Sequence, residues 1–125
     1  MRTPTYRAQL REIADGVYAY LQEGSWGFSN AGLVAASGSA LLVDTLYDLK
    51  LTARMLEEMR RANAAAIHID TLVNTHANGD HCWGNRLVGA NRIVSSRAAA
   101  EEMLDVSPGK VSGERGIRTL ASGIS

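Results

Sequence analysis

The chain has 125 residues, 46% of them hydrophobic, with 13 Lys+Arg against 13 Asp+Glu and a formal net charge of zero. That is enough for one globular domain, and the charge balance argues against nucleic-acid and membrane-surface binders, which would carry a basic excess. No apolar run is long enough to span a bilayer, residues 1–7 lack the apolar core of a signal peptide, and one cysteine allows no internal disulfide, which points to a reducing cytoplasm.

After a loose arm over residues 1–7, Ala8 to Ile13 and Val17 to Leu21 predict two short strands joined at Asp15-Gly16, a good turn pair. Residues 22–28 form a glycine-rich loop that carries Trp26 and Phe28; such aromatics more often fold back onto the core than stand over a site. Asn30 to Ala36 and Ala40 to Asp44 predict a hairpin around Ser37-Gly38-Ser39. Leu41-Leu42-Val43 is apolar without alternation, as in a strand buried on both faces. Asp48 is placed to cap a helix running to about Ala62, with Leu51, Met55, Leu56, Met59 and Ala62 on its buried face. The methionines read as core, and Arg60 and Arg61 suit the negative end of the helix. Residues 64–68 are a connector in which His68 reads as a surface residue.

Ile69 to Val73 predicts a buried strand, and it runs out into Asn74-Thr75-His76-Ala77-Asn78-Gly79-Asp80-His81-Cys82-Trp83-Gly84-Asn85. Two of the three histidines lie here with a carboxylate beside the second, where an α/β protein commonly builds a site. Neutral imidazoles and a carboxylate suit zinc or another divalent first-row metal. An irregular loop can turn nearby positions toward one point, and Gly79 would give the backbone dihedrals that other residues resist. Cys82 adjoins a ligand candidate but reads as a packing residue. Beyond it, Arg92 to Ser95 predicts a strand, Ser96 caps a helix from Arg97 to Leu104, and residues 107–125 read as a Ser/Gly-rich tail or linker after a unit over residues 1–106.

The stretch from His76 to His81 resembles the His-x-His-x-Asp-His signature of the metallo-β-lactamase-fold hydrolases, with His76, Asp80 and His81 in matching positions. Leu72 to Thr75, Gly84-Asn85 and the upstream strand Ala40 to Thr45, which ends in Asp44, are also similar to that family, so the resemblance spans about residues 8–105. It implies metal ligands at His76, Asp80 and His81, with Asp80 the catalytic carboxylate. It implies that Asp44 accepts a hydrogen bond from a ligand histidine and fixes its orientation. Asn78 stands where the family has its second histidine and is a weak, neutral ligand. The family's later histidine ligands have no counterpart, since His68 precedes the motif.

The fold expected from the resemblance is α/β, a mixed sheet with helices on one face, equal to half of an αββα sandwich. The expected cofactor is zinc, as one or two ions in the family and one or none here. The implied activity is metal-dependent hydrolysis of a small-molecule substrate. The alternative is a non-catalytic half-domain that acts as an assembly or interaction module. A homodimer is expected in either case, because such a half leaves one apolar sheet face bare.

Overall fold

The computed structural model describes residues 9–22 and 29–104. The N-terminal arm, the loop with Trp26 and Phe28, and the tail with its boundary after residue 106 lie outside the described residues. Six strands form one mixed sheet in sequence order: β1 (Gln9–Ala14), β2 (Val17–Leu21), β3 (Ala31–Ala36), β4 (Ser39–Val43), β5 (Ile69–Val73) and β6 (Arg92–Val94). β1 to β4 pair antiparallel, then β4–β5 and β5–β6 pair parallel. The tight β3–β4 turn places Ser37 and Gly38 at φ 52° and 78°, the positive pair a two-residue hairpin uses to match strand twist. A parallel pair needs a crossover, and α1 (Leu49–Ala62) with a single 3₁₀ turn (Ala64–Ile67) supplies it between β4 and β5.

The helix starts where expected. Asp48 accepts a hydrogen bond from Leu51 N at 2.7 Å, which satisfies one of the first-turn donors. Met55, Leu56 and Met59 are fully buried and pack with Tyr18, Tyr20, Leu33, Ala40, Leu42, Ile69 and Leu72 in one core. Each such side chain contributes about 1.5–3 kcal/mol of burial. Ala62, expected on this face, is exposed, and Leu51 is half-buried. Thr52 sits in the core instead, its hydroxyl accepting from Leu46 N at 3.2 Å. α2 (Gly79–Cys82), α3 (Asn85–Val88) and α4 (Arg97–Leu104) complete the described chain. A second, smaller cluster joins Cys82 to Ala99 and Met103.

Burial alternates along the strands rather than covering both faces. Leu42 is fully buried, but Leu41 and Val43 are only half-buried, so β4 is not the doubly covered strand its apolar run suggests. An apolar run records what a strand prefers to touch, not whether anything touches it. On the same face as Leu41, Ile13 is 66% and Val34 42% exposed. An open apolar groove of about 320 Å³ runs there between Ile13, Val17, Ala19, Gly32, Val34 and Val43. None of the helices among the described residues is long and apolar enough to cross a membrane.

Candidate metal centre

The site forms where the parallel strands end. Asp44 directly follows β4 and Asn74 directly follows β5, and the two are adjacent because the strands pair with Val43 opposite Val73. Asp44 N continues the ladder to Val73 O at 2.8 Å, after which Asp44 turns into the left-handed region at φ 66°. Asp tolerates that conformation better than most residues because its short side chain bonds locally. Here the turn sends a carboxylate, 3% exposed, across the loop that follows β5.

Asp44 makes three hydrogen bonds. Oδ1 takes Thr75 N at 2.8 Å, and Oδ2 takes the Thr75 hydroxyl at 2.6 Å and His81 Nδ1 at 3.0 Å. The imidazoles of His76 and His81 lie against each other, with ring centroids 3.8 Å apart and planes tilted by 47°. Asp44, His76 and His81 each offer a ligand-type atom, and these atoms lie within 4.8 Å of one another. Asp80 stands beside the trio in the first turn of α2, its Oδ2 3.5 Å from His81 Nε2. Asn78 precedes α2, is exposed, and makes no side-chain capping bond. Of the residues expected at the site, the structure thus brings together His76, His81, Asp80 and Asp44. His68 is exposed and remote in role, its Nε2 3.5 Å from Asn91 Nδ2.

The loop is held from below by buried polar groups. Asn74 and Asn85, each 2% exposed, bond reciprocally, Asn85 Nδ2 to Asn74 Oδ1 at 2.6 Å and Asn74 Nδ2 to Asn85 Oδ1 at 3.1 Å. Asn85 Oδ1 also accepts from the Thr45 hydroxyl at 3.0 Å. The carbonyl of His81 accepts from Thr45 N at 2.9 Å and Asn74 Nδ2 at 3.0 Å. On the other side, the Ser29 hydroxyl donates to the Asp80 carbonyl. Networks satisfied in this way specify one arrangement, because a lost partner leaves a buried polar group unpaired.

Two local expectations change. Gly79 does not have positive φ. Its hydrogen makes room for the ring of Trp83, which a Cβ would strike; Trp83 in turn packs on Tyr47 with centroids 5.1 Å apart. Cys82 is buried and points at the carbonyls of Asn78 and Ala77 at 3.4 and 3.5 Å. Burial, and then the carboxylates of Asp44 and Asp80, push its thiol up to about 12. It is a packing residue, as its sequence context suggested, and not a thiolate near neutral pH. Thr75 and Ser29 were not singled out by sequence reasoning. Thr75 stands beside His76, which was the one available signal; nothing near Ser29 in the sequence marks its reach to Asp80.

The donor set fits a divalent metal. The group whose ligand-type atoms converge is His76, His81 and Asp44, two imidazoles and a carboxylate, and these are donor types that hold divalent first-row metals. The Nδ1 atoms of both histidines are engaged by neighbouring groups, and His81 Nε2 faces Asp80 Oδ2 at 3.5 Å.

The family model of the metallo-beta-lactamase superfamily matches residues 24–117. Among solved structures, a metallo beta lactamase from Erythrobacter litoralis, with beta-mercaptoethanol in its active site, aligns at a TM-score of 0.59 and 25% identity. That alignment covers 75% of this chain and 43% of the other. TMB-1 aligns at a TM-score of 0.59 and 22% identity, over 76% of this chain and 45% of the other. The chain therefore spans less than half the length of the structures it matches. No curated protein sequence matches it.

Proposed function

The chain belongs to the metallo-beta-lactamase superfamily, and on that premise we propose that it binds one divalent ion, zinc, at His76, Asp80 and His81 for metal-dependent hydrolysis of a small-molecule substrate. The observation that carries this reading is the tethered pair of imidazoles: both rings have Nδ1 held back and lie in contact beside a carboxylate. A bound ion would polarise a substrate oxygen and make water a nucleophile near neutral pH. The chain's own residues do the positioning. His76 and His81 hold Nε2 toward the ion, Asp80 supplies an anionic oxygen and acts as the catalytic carboxylate, and Asp44 fixes the His81 ring. Asn78, where the family has a histidine, leaves a second ion without a good ligand. The single buried cysteine fits the cytoplasm as the compartment.

Zinc titration followed by calorimetry tests this reading. The wild type should bind about one ion. His81→Ala and Asp80→Ala should abolish binding, and Asn78→His should tighten it or raise the stoichiometry. An Asn78→His variant that binds as the wild type does would mean that position 78 does not face the ion. The non-catalytic reading draws on Asn78; zinc binding without chelator-sensitive turnover of any ester, thioester or lactam would favour it.

The partner we propose is a second copy of the chain, packed on the sheet face that carries Val17, Ala19, Val34, Leu41 and Val43. Six strands of about five residues present a footprint of roughly 24 by 17 Å. Two such faces give about 800 Å² as flat footprints, to which the corrugation of the side chains adds, against the roughly 1,200 Å² at the low end of stable interfaces. The charged side chains that the register places on this face, Arg11 and Arg92, sit on the edge strands β1 and β6. Light scattering at micromolar concentration should give twice the chain mass. A stable monomer would rule this partner out.

A further inference from the structure

Thr75 carries a role that follows from counting protons. Its hydroxyl has one hydrogen and two neighbours, Asp44 Oδ2 at 2.6 Å and His76 Nδ1 at 2.8 Å. A carboxylate only accepts, and the shorter, charge-assisted contact takes the proton. Thr75 Oγ1 is then an acceptor toward His76, so the hydrogen between them must sit on His76 Nδ1. The same carboxylate takes the Nδ1 hydrogen of His81 at 3.0 Å. One buried anion therefore faces Nδ1 of both rings, His81 directly and His76 through one hydroxyl.

We propose that Thr75 is a positioning residue that relays the charge of Asp44 to His76, holding it as the Nδ1–H tautomer with a bare Nε2 before any ion arrives. This rests on the reading of His76 as a ligand, but the relay itself is a property of the ion-free protein. Neutral imidazole in water favours the opposite, Nε2–H form, which carries a hydrogen on the atom that must bind. Without the relay His76 must change tautomer on binding. A partner outside the ligand shell that orients a ligand histidine commonly accounts for 10- to 100-fold in affinity.

The test is long-range ¹H–¹⁵N correlation NMR on the ion-free protein near pH 8. Wild type should show His76 and His81 both as Nδ1–H. Thr75→Val keeps the shape and the main-chain N–H to Asp44 but removes the hydroxyl; it should move His76 toward Nε2–H and leave His81 unchanged. Thr75→Ser should restore the wild-type pattern. Zinc affinity should fall at least about tenfold in Thr75→Val and recover in Thr75→Ser. An Nε2–H His76 in the wild type overturns the proposal, as does a folded Thr75→Val variant with the wild-type tautomer. Should Thr75→Val not fold, Thr75→Ala, which leaves the same hydroxyl missing with less crowding, takes its place under the same two outcomes. Correct tautomers in a protein that binds no zinc would leave the relay standing and remove the proposed function instead.

Discussion

Asn85→Ala should lower the melting temperature by about 10–20 °C, although it removes no apolar contact and lies outside the ligand set. Asn85 is 2% exposed, and its amide serves Asn74 twice and Thr45 once. Alanine leaves the Asn74 carbonyl oxygen and the Thr45 hydroxyl without that partner in a buried setting. At about 1–3 kcal/mol per unsatisfied group the loss is roughly 3–4 kcal/mol, and about 4 °C per kcal/mol is typical for a domain of this size. Zinc affinity should fall as well, because Asn74 and Thr45 hold the carbonyl of His81. Asn85→Asp should be nearly as damaging. It can still accept, but it cannot donate to Asn74 Oδ1 at 2.6 Å and would place two oxygens in contact. Thermal unfolding followed by circular dichroism checks both. A shift below about 3 °C for Asn85→Ala would mean that the reciprocal pair does not exist in solution.

The second large effect separates stability from binding at one position. Asp44→Asn should leave the melting temperature within about 5 °C of wild type yet weaken zinc binding about 100-fold. Asparagine keeps an oxygen for Thr75 N and tolerates the backbone at φ 66°. Its NH₂, however, meets His81 Nδ1 as a donor. His81 must then accept through Nδ1 and carry its hydrogen on Nε2, the atom that should bind the ion. Asp44→Ala should lose both properties, since three donors are orphaned and the left-handed backbone disfavours alanine by about 1 kcal/mol. Calorimetric titration and thermal melts on the two variants decide the matter. Wild-type zinc affinity in Asp44→Asn would show that Asp44 does not set the His81 tautomer.

Much of this architecture was legible from local chemistry. Apolar spacing and the Asp48 cap located α1, and the turn residues Asp15-Gly16 and Ser37-Gly38 separated strands that the structure places within a residue or so of the expected ends. The cluster from His76 to His81 was readable because the motif compresses it into a few residues, whereas Asp44, 31 and 37 residues before Thr75 and His81, was reached only through the family resemblance. What escaped depends on distant partners. No periodicity links Asn74 to Asn85, and nothing near Ser29 marks its bond to the Asp80 carbonyl. Gly79 suggested backbone freedom, whereas the bulk of Trp83 requires it. The half-exposure of Leu41 and Val43 was hidden for a different reason: their sequence is the same whether or not another surface covers them.

The strand order has a consequence for how the molecule assembles. Each strand pairs with its neighbours in sequence, so no pairing in the sheet must wait for a later element to slip between two earlier ones. Contacts of short sequence separation close cheaply and favour rapid folding. The antiparallel meander from β1 to β4 can therefore condense first, with α1 and β5 added to its edge. Asp44 is carried into place with that early unit, yet its partners Thr75 and His81 follow 31 and 37 residues later. Its carboxylate finds these partners only when the chain beyond β5 is in place, so desolvating it and bringing the histidines together are a single event.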